Sequence, residues 1–515
     1  MLLNHLSAAR LQIYTNMTDP RTTLQSFLSK PRVFIVSDIS NEPDDAESLV
    51  RYLLYSHQFQ TEGLVACTST WMKNKVCPQD MQKIIDAYEK VVDNLNAHVH
   101  PDAKYRPADY FRSLVRKGAE VYGMSAVGDD IPLSEGGELL LERLQAPNEQ
   151  PLWILCWGGT NVLAQVLLRI EKLYSAADAA QLRSKLRVYA ISDQDDTGAW
   201  IRHRYPDVFY IASVHGWNHY GLAAWTGISG DKYYNFDQGG PDFSKMTKEW
   251  IRQNIQVGEL GFAYPNYLFI PEGDTATFLY LIQNGLGVPE HPEYGSWGGR
   301  YQRSDVSANG LASLHYGDAV DRVVGADGRT YTTNHGTIWR WRDSFQNDFA
   351  ARIQWSLSSD FGAANHAPVI SINSDASLAP LNLEAEAGST FPLDASETFD
   401  PDSGDALTFK WFHYKDPSAT QSWVDAEVAN LEIKPIDSGR KVEVTVPPAE
   451  RCCVDLMSRQ PVLRGQILHL ILQVTDSGSP ALTSYRRVLI QTTNPRLEGG
   501  GKGADAIGDL MAEFA

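Results

Sequence analysis

Asp38, Glu42, Asp44 and Asp45 crowd into eight residues directly after the apolar run Val33-Phe34-Ile35-Val36. Carboxylates this close repel one another, and such a knot persists in a folded site only if a cation, a proton or strong donors compensate. A hard divalent ion suits it best. Calcium and magnesium take oxygen ligands, whereas zinc or copper would want His or Cys, and neither residue type lies between Ser37 and Arg51. The same acids also read as caps, because Asp44 and Asp45 precede the apolar-patterned stretch Glu47 to Leu54 and acids favour helix N-termini.

Four consecutive apolar residues describe a strand buried on both faces, which delivers its carboxylates to the C-terminal edge of an α/β sheet, where such sheets bind ligands. Two further segments bring polar groups to the same kind of edge. Pro151 to Cys156 runs into Trp157-Gly158-Gly159-Thr160-Asn161 before a helix. There the backbone can approach a ligand or ion closely, or simply make a tight turn with Thr160 or Asn161 as N-cap. Tyr267 to Ile270 reads as another strand, ending at Pro271-Glu272-Gly273-Asp274-Thr275, so that Asp274 either supplies a remote ligand or caps the next helix.

Between Pro31 and Trp355, further candidate strands at Gln60 to Ala66, Arg187 to Ile191 and Val208 to Ser213 alternate with helical patterns. Those patterns cover Gln79 to Asn94, Gly136 to Leu144, Asn161 to Leu173 and Ala276 to Asn284. The rhythm predicts a mainly parallel sheet with helices on both faces. Beyond Ala367-Pro368, short alternating runs separated by turn residues replace the helices: Val369 to Ile372, Leu381 to Ala385, Leu407 to His413, Lys441 to Val446, Ile467 to Val474 and Arg486 to Gln491. They predict an antiparallel β-sandwich. The expected organisation is an N-terminal extension (1–30), an α/β domain (31–362), a β-sandwich domain (366–494) and a flexible tail (495–515). The acids of Asp400-Pro401-Asp402-Ser403-Gly404 read as turn builders more than as calcium ligands, because the segment is turn chemistry in its own right.

The net charge of −18 argues against nucleic acid or an anionic membrane as the main partner and leaves a neutral or cationic ligand. No stretch approaches the length of a membrane span. The 13 Trp and 23 Tyr suit sugar rings or bases, which stack on flat apolar faces, as well as a large aromatic core. Trp71, Trp217 and Trp297, flanked by Gly, Ser or Asn, are the best stacking platforms. His215, His219 and the acids Asp193 to Asp196 are the groups that could protonate a leaving group. Five Cys without metal spacing imply no disulfide scaffold, although Cys67 and Cys77 could bridge. No intact secretory signal is read at Met1 to His5, and the glycosylation triplet Asn16-Met17-Thr18 stands alone, a weak lean toward an intracellular life. Self-association into a homo-oligomer is left open.

Taken together, Asp38-Ile39-Ser40-Asn41-Glu42-Pro43-Asp44-Asp45, Thr68-Ser69-Thr70-Trp71, Trp157-Gly158-Gly159-Thr160-Asn161, Ile191-Ser192-Asp193-Gln194-Asp195-Asp196, Gly273-Asp274 and Glu293 to Tyr301 resemble the nucleoside-hydrolase-like proteins described as cellulose-binding. That family is often secreted. Leu393 to Trp411 resembles the immunoglobulin-like domains found beside carbohydrate-active modules. The resemblance implies a calcium ion held by Asp38, Asp45, Asp274 and the Trp157 carbonyl. It also implies that Asp44 binds sugar hydroxyls; Asn161, Trp71, Trp217, Trp297 and His215 are the further candidate substrate contacts. Hydrolysis of a glycosidic or N-ribosidic bond in a carbohydrate or a glycosylated small molecule would follow. In the family pattern Asp-x-Asp-x-x-x-Asp-Asp the second Asp is the general base. Here that position is Ser40, which cannot take a proton from water at neutral pH unaided. Asp38 becomes the replacement base, with Glu42 and Asp44 as rivals. A polysaccharide-binding protein without turnover, or a biosynthetic enzyme that reuses the pocket on a non-sugar substrate, are the alternatives.

Overall fold

The computed structural model describes residues 19–27, 29–214, 219–229, 240–304, 313–418, 428–455, 458 and 460–497. The apolar run after Pro31 forms the centre of the first module. In β1 (Arg32–Ser37), Val33 and Ile35 enter one core while Phe34 and Val36 enter the other, so both faces of the strand are covered and alternation vanishes from its sequence. It is joined by β2 (Gln60–Ala66), β3 (Val115–Lys117), β4 (Leu152–Cys156), β5 (Leu186–Ala190), β6 (Phe209–Ala212), β7 (Tyr301–Arg303) and β8 (His315–Asp318). The eight strands lie in the order β3-β2-β1-β4-β5-β6-β8-β7, parallel except for the β7–β8 pair. A hairpin of β9 (Asp321–Val324) and β10 (Thr330–Thr333) follows.

This order decides where a ligand can sit. After β1 the chain moves outward through β2 and β3, then returns to place β4 on the other side of β1, so connections diverge between β1 and β4 and a crevice opens at their C-terminal ends. The Asp38 loop leaves β1, and the Trp157 loop leaves β4, on the two sides of that crevice.

The expected strand Tyr267 to Ile270 does not form. Leu268 and Phe269 are each 58% exposed, and the sheet position beyond β6 is taken by β8. Pro265 and Pro271 bracket the run, and without an adjacent strand its apolar composition does not suffice. Asp274 instead arrives from a series of turns that opens the short helix Ala276–Leu279, which is briefer than the Ala276 to Asn284 pattern suggested. Cys67 and Cys77 are both free, as are Cys156, Cys452 and Cys453. Among the described residues no helix is long and apolar enough to cross a membrane.

The second module packs two sheets around one core. Its strands are β11 (Leu381–Glu386), β12 (Thr390–Asp394), β13 (Thr408–His413), β14 (Glu432–Ile436), β15 (Lys441–Thr445), β16 (Arg464–Thr475) and β17 (Thr483–Thr493). They form sheets β11-β17-β16-β13 and β12-β15-β14, which enclose Trp411, Leu470, Val444 and Val488. The β11–β17 ladder is parallel, unlike the others, and Val369 to Ile372 makes only isolated bridges instead of a strand.

β11 covers only the second half of β17, and the uncovered edge docks on the first module. The Tyr485 amide donates to Asn284 O at 3.0 Å, and the Arg487 amide to Gly285 O at 3.2 Å. The buried Arg487 guanidinium donates to the carbonyls of Leu286, Tyr294 and Gly295 at 2.8, 3.0 and 3.1 Å. Gly285 sits at φ +82°, and a Cβ there would lie 1.9 Å from Tyr485 O. Gly285→Ala is therefore expected to cost more than about 1 kcal/mol, from backbone strain alone, and to loosen the contact between modules. Calorimetry showing an unchanged unfolding profile would contradict this account of the interface.

Candidate functional site

The acids of the Asp38 loop and Asp274, more than two hundred residues apart in sequence, meet at the crevice between β1 and β4. Asp44, Asp45 and Asp274 each offer an oxygen within 4.8 Å of the other two. Asp38 lies beside this trio and lines a narrow cleft with Asn41, Glu42, Asp44, Trp71 and Trp225. The cleft's volume of about 20 Å³ admits a water or an ion.

Several buried contacts hold the acids together. The Ser37 hydroxyl donates to Asp45 Oδ1, and the Asp45 amide to Asp44 Oδ1 at 3.0 Å. On the facing side Glu272 adopts φ +58°, rare for a residue with a Cβ. It is held there by the fully buried Arg51, whose Nη1 donates to Glu272 Oε2 at 2.7 Å. The Glu272 amide donates to Glu47 Oε2 at 2.9 Å and the Tyr264 hydroxyl to Glu272 Oε1 at 2.9 Å. Gly273 follows, and a Cβ on it would lie 2.8 Å from Asp44 Oδ2. The Trp157 indole donates to Thr277 Oγ1, and Thr277 Oγ1 to Asp274 O, both at 2.8 Å, which ties the end of β4 to the Asp274 turn.

The double glycine has a steric reason. A Cβ on Gly158 would stand 2.9 Å from Asp38 Oδ1, and one on Gly159 would stand 2.4 Å from Asp195 Oδ2. Only bare backbone lets the β4 turn approach both acids.

Electrostatically the site is overloaded. Burial, then the charges of Asp38 and Asp44, push the Asp45 carboxyl well above its ordinary range. Asp274 and Asp44 are raised in the same way, by burial first and by neighbouring acids second. Burial lifts Asp38 to about 7, with Glu42 adding to the shift and a Ser69 hydrogen bond opposing it. Both carboxylate oxygens of Asp274, and Oδ2 of Asp38, are buried without a hydrogen-bond partner. Unpartnered hard oxygens converging from two sides fit a divalent cation of the calcium or magnesium type.

The remaining expected residues are distributed differently. Trp71 is 58% exposed at the mouth of the cleft. Trp297, expected as a stacking platform, is 2% exposed, with its ring edge-on to Phe345 and Tyr485 in the contact between modules; its Gly and Ser neighbours serve close packing, so it has no free face for a sugar. Asn161 faces the framework, donating to Thr68 Oγ1 and Val121 O, both at 3.0 Å. The Trp157 carbonyl accepts a hydrogen bond from Gln194 Nε2. Ser40, at φ +80°, turns its hydroxyl away to donate to Asp80 Oδ2. Asp193 is held by both Nη atoms of Arg202, and Asp196, exposed, accepts from the Met124 amide through Oδ1. His219 is exposed, while His215 and Trp217 lie outside the described residues. Trp225, which lines the cleft, carried no signal in the sequence, because its neighbours Ala224 and Thr226 resemble those of any core Trp.

Fold and site together define a nucleoside-hydrolase-type α/β module joined to a β-sandwich. A family model described as "Cellulose-binding Sde182, nucleoside hydrolase-like domain" matches residues 32–301, and "Cellulose-binding protein Sde0182, C-terminal domain" matches residues 390–492. A nucleoside hydrolase-related protein from Saccharophagus degradans, described as associated with carbohydrate metabolism, is 30% identical, with 90% of this chain and 100% of that one covered and a TM-score of 0.71. The chain belongs to this nucleoside hydrolase-like, cellulose-binding Sde182 family. A Bacillus licheniformis endo-β-1,4-glucanase (9% identity, 92% of this chain and 79% of that one, TM-score 0.18) and a protocadherin gamma C5 fragment (18%, 24% and 33%, TM-score 0.15) are too dissimilar to carry an argument. No curated protein matches.

Two outcomes follow from this geometry. Arg51→Met leaves Glu272 buried and unpaired, and is expected to cost about 3–5 kcal/mol in denaturant unfolding. In protein stripped of divalent ions, the raised carboxyls hold protons more tightly folded than unfolded. Their stabilisation is then complete below the ordinary value of 3.8 and is lost as pH rises through the raised values, about 7 for Asp38. Thermal midpoints in chelator should fall across that window, less steeply in Asp38→Asn, and a flat profile would refute the electrostatic account.

Proposed function

We propose that this chain is a calcium-dependent hydrolase of glycosidic or N-ribosidic bonds, acting on a carbohydrate or a glycosylated small molecule. The observation that carries this reading is the convergence of Asp44, Asp45 and Asp274 beside Asp38 in one desolvated cleft. Asp45, Asp274 and Asp44 would hold the cation, with Asp38 at its edge. Calcium bound there would offset the repulsion between the acids and make a nearby water more acidic.

The chain's own groups supply the rest. Asp38 Oδ2 has no partner, and its carboxyl, raised toward neutrality, suits the acceptance of a proton from water in place of the side chain missing at Ser40. Cleavage of such a bond builds an oxocarbenium-like cation, which the surrounding carboxylates stabilise. The exposed face of Trp71 can stack on a sugar ring. Beyond Asn41 and Glu42, which border both spaces, a wider groove of about 500 Å³ with Ile84, Ala263 and Leu268 on its walls has the size and apolar character for a further ring.

A second reading, polysaccharide binding without turnover, is favoured by Ser40, whose hydroxyl turns out of the cleft toward Asp80. The family's description as cellulose-binding supports the same partner class.

The test combines three measurements. Calcium should raise the thermal midpoint of the wild type by mass action, but not that of Asp45→Ala or Asp274→Ala. Release of reducing sugar from aryl glycosides, nucleosides or oligosaccharides should fall by about 10²-fold or more in Asp38→Asn. Retention on insoluble cellulose with no turnover of any substrate would favour the binding reading, and neither retention nor turnover would dismiss both.

A further inference from the structure

A second group of acids lies where the chain passes from one module to the other. Asp400, Asp402 and Asp405 each offer an oxygen within 4.8 Å of the other two, and all three are half-buried with one side open to water. Exposed acidic turns are common, and this trio alone would be turn chemistry.

Asp476, on the loop after β16, changes that. The residue is buried, only 5% exposed. Its Oδ1 accepts from Asn365 Nδ2, the Gly478 amide and the Leu482 amide at 3.0, 2.9 and 2.9 Å. Its Oδ2 is buried with no partner. Oδ2 of Asp400 and Oδ1 of Asn365 are likewise buried and unpartnered. The loops are drawn together, since Ser477 Oγ donates to Asp405 Oδ1 at 2.8 Å and also accepts from the Ala406 amide at 3.0 Å. Burial, followed by the charges of Asp476, Asp402 and Asp405, pushes the Asp400 carboxyl up to about 7. Beside these acids, His366 Nδ1 lies 2.9 Å from Asp402 Oδ1, and the His366 amide donates to Asp402 Oδ2 at 2.6 Å.

We propose that Asp400, Asp402, Asp405 and Asp476, with the Asn365 carbonyl oxygen, form a second divalent-cation site, with calcium as the preferred ion, that pins the linker between the two modules. Oxygen-only donors from several separate loops, with Asp400, Asp402 and Asp405 only half-buried and so accessible to water ligands, suit calcium's six to eight ligands better than magnesium's rigid octahedron. Asp402 retains lone pairs for a cation while accepting from His366. The position gives the ion a structural task. His366 reaches Asp402 on one side and His98 Nδ1 of the α/β module, at 3.1 Å, on the other, and Asn365 reaches Asp476. An ion seated here would fasten the linker residues Asn365 and His366 to both modules.

The site is independent of the cleft between β1 and β4, and the experiment separates the two. Calorimetric titration of the full chain with calcium is expected to lose one bound equivalent in Asp400→Asn/Asp405→Asn, whatever is seen in Asp45→Asn/Asp274→Asn. Should the first double variant not fold, limited proteolysis of the wild type and of Asp45→Asn/Asp274→Asn provides the reading. Calcium at ten times its dissociation constant should slow cleavage between residues 363 and 368 by about tenfold in both proteins, because binding suppresses local opening by mass action. Unchanged stoichiometry in a folded Asp400→Asn/Asp405→Asn variant, or cleavage at the same rate with and without calcium, overturns the proposal.

Discussion

Carboxylates repel one another, and this protein buries several of them at one sheet edge. Asp38, Asp44, Asp45 and Asp274 lie in a desolvated crevice where burial, and after it the charge of neighbouring acids, raises the cost of ionising each of them. A fold that concentrates like charge in this way must hold it by other means. Here the means are the neutral donors of Ser37 and the Asp45 amide, and one cation set behind the acids, Arg51. Arg51 does not touch the trio. It neutralises Glu272, whose backbone conformation then aims the next two residues at Asp44 and Asp45. The acids themselves are left with oxygens facing a common point, the arrangement a hard cation requires.

Close backbone approach is the second condition. Gly158 and Gly159 let the turn after β4 come within contact of Asp38 and Asp195, and Gly273 does the same for Asp44. These glycines act through what they lack, since any side chain would separate the two walls of the crevice. The strand order supplies the crevice, the glycines close it to the width of a water or an ion, and the ion pair behind it sets the angle of the far wall.

The β-sandwich is bonded to this framework, not loosely appended. The open half of β17 continues into the backbone of Asn284 and Gly285, and Arg487 satisfies the carbonyls of Leu286, Tyr294 and Gly295. Trp297 and Tyr485 pack across the same contact. This explains why a loop Trp flanked by glycine and serine is a packing residue here: the chemistry that would suit a sugar-stacking loop also suits a tight junction between two modules.

Much of this was readable from the chain. The continuous apolar runs at Val33 to Val36 and Leu152 to Cys156 could belong only to strands covered on both faces, and the acids and glycines after them had to fall at strand ends. Local rules decide such features, because burial on both faces and the steric demand of a tight turn act over a few residues. Other features depended on long-range neighbours. Tyr267 to Ile270 is apolar enough for a strand, yet β8 occupies the place it would need. Asp44, not Asp38, completes the close trio with Asp45 and Asp274, because helix geometry at Pro43 sets which acid turns toward Glu272 to Asp274. Asn161 and Ser40 keep the residue types and spacing of a site while their side chains are drawn to Thr68 and Asp80. Residue type and order determined which elements form and which chemistry they carry. Only the tertiary structure decided which groups face one another, since hydrogen-bond partners and exclusion of volume between distant segments are properties of the packed chain and not of any stretch of it.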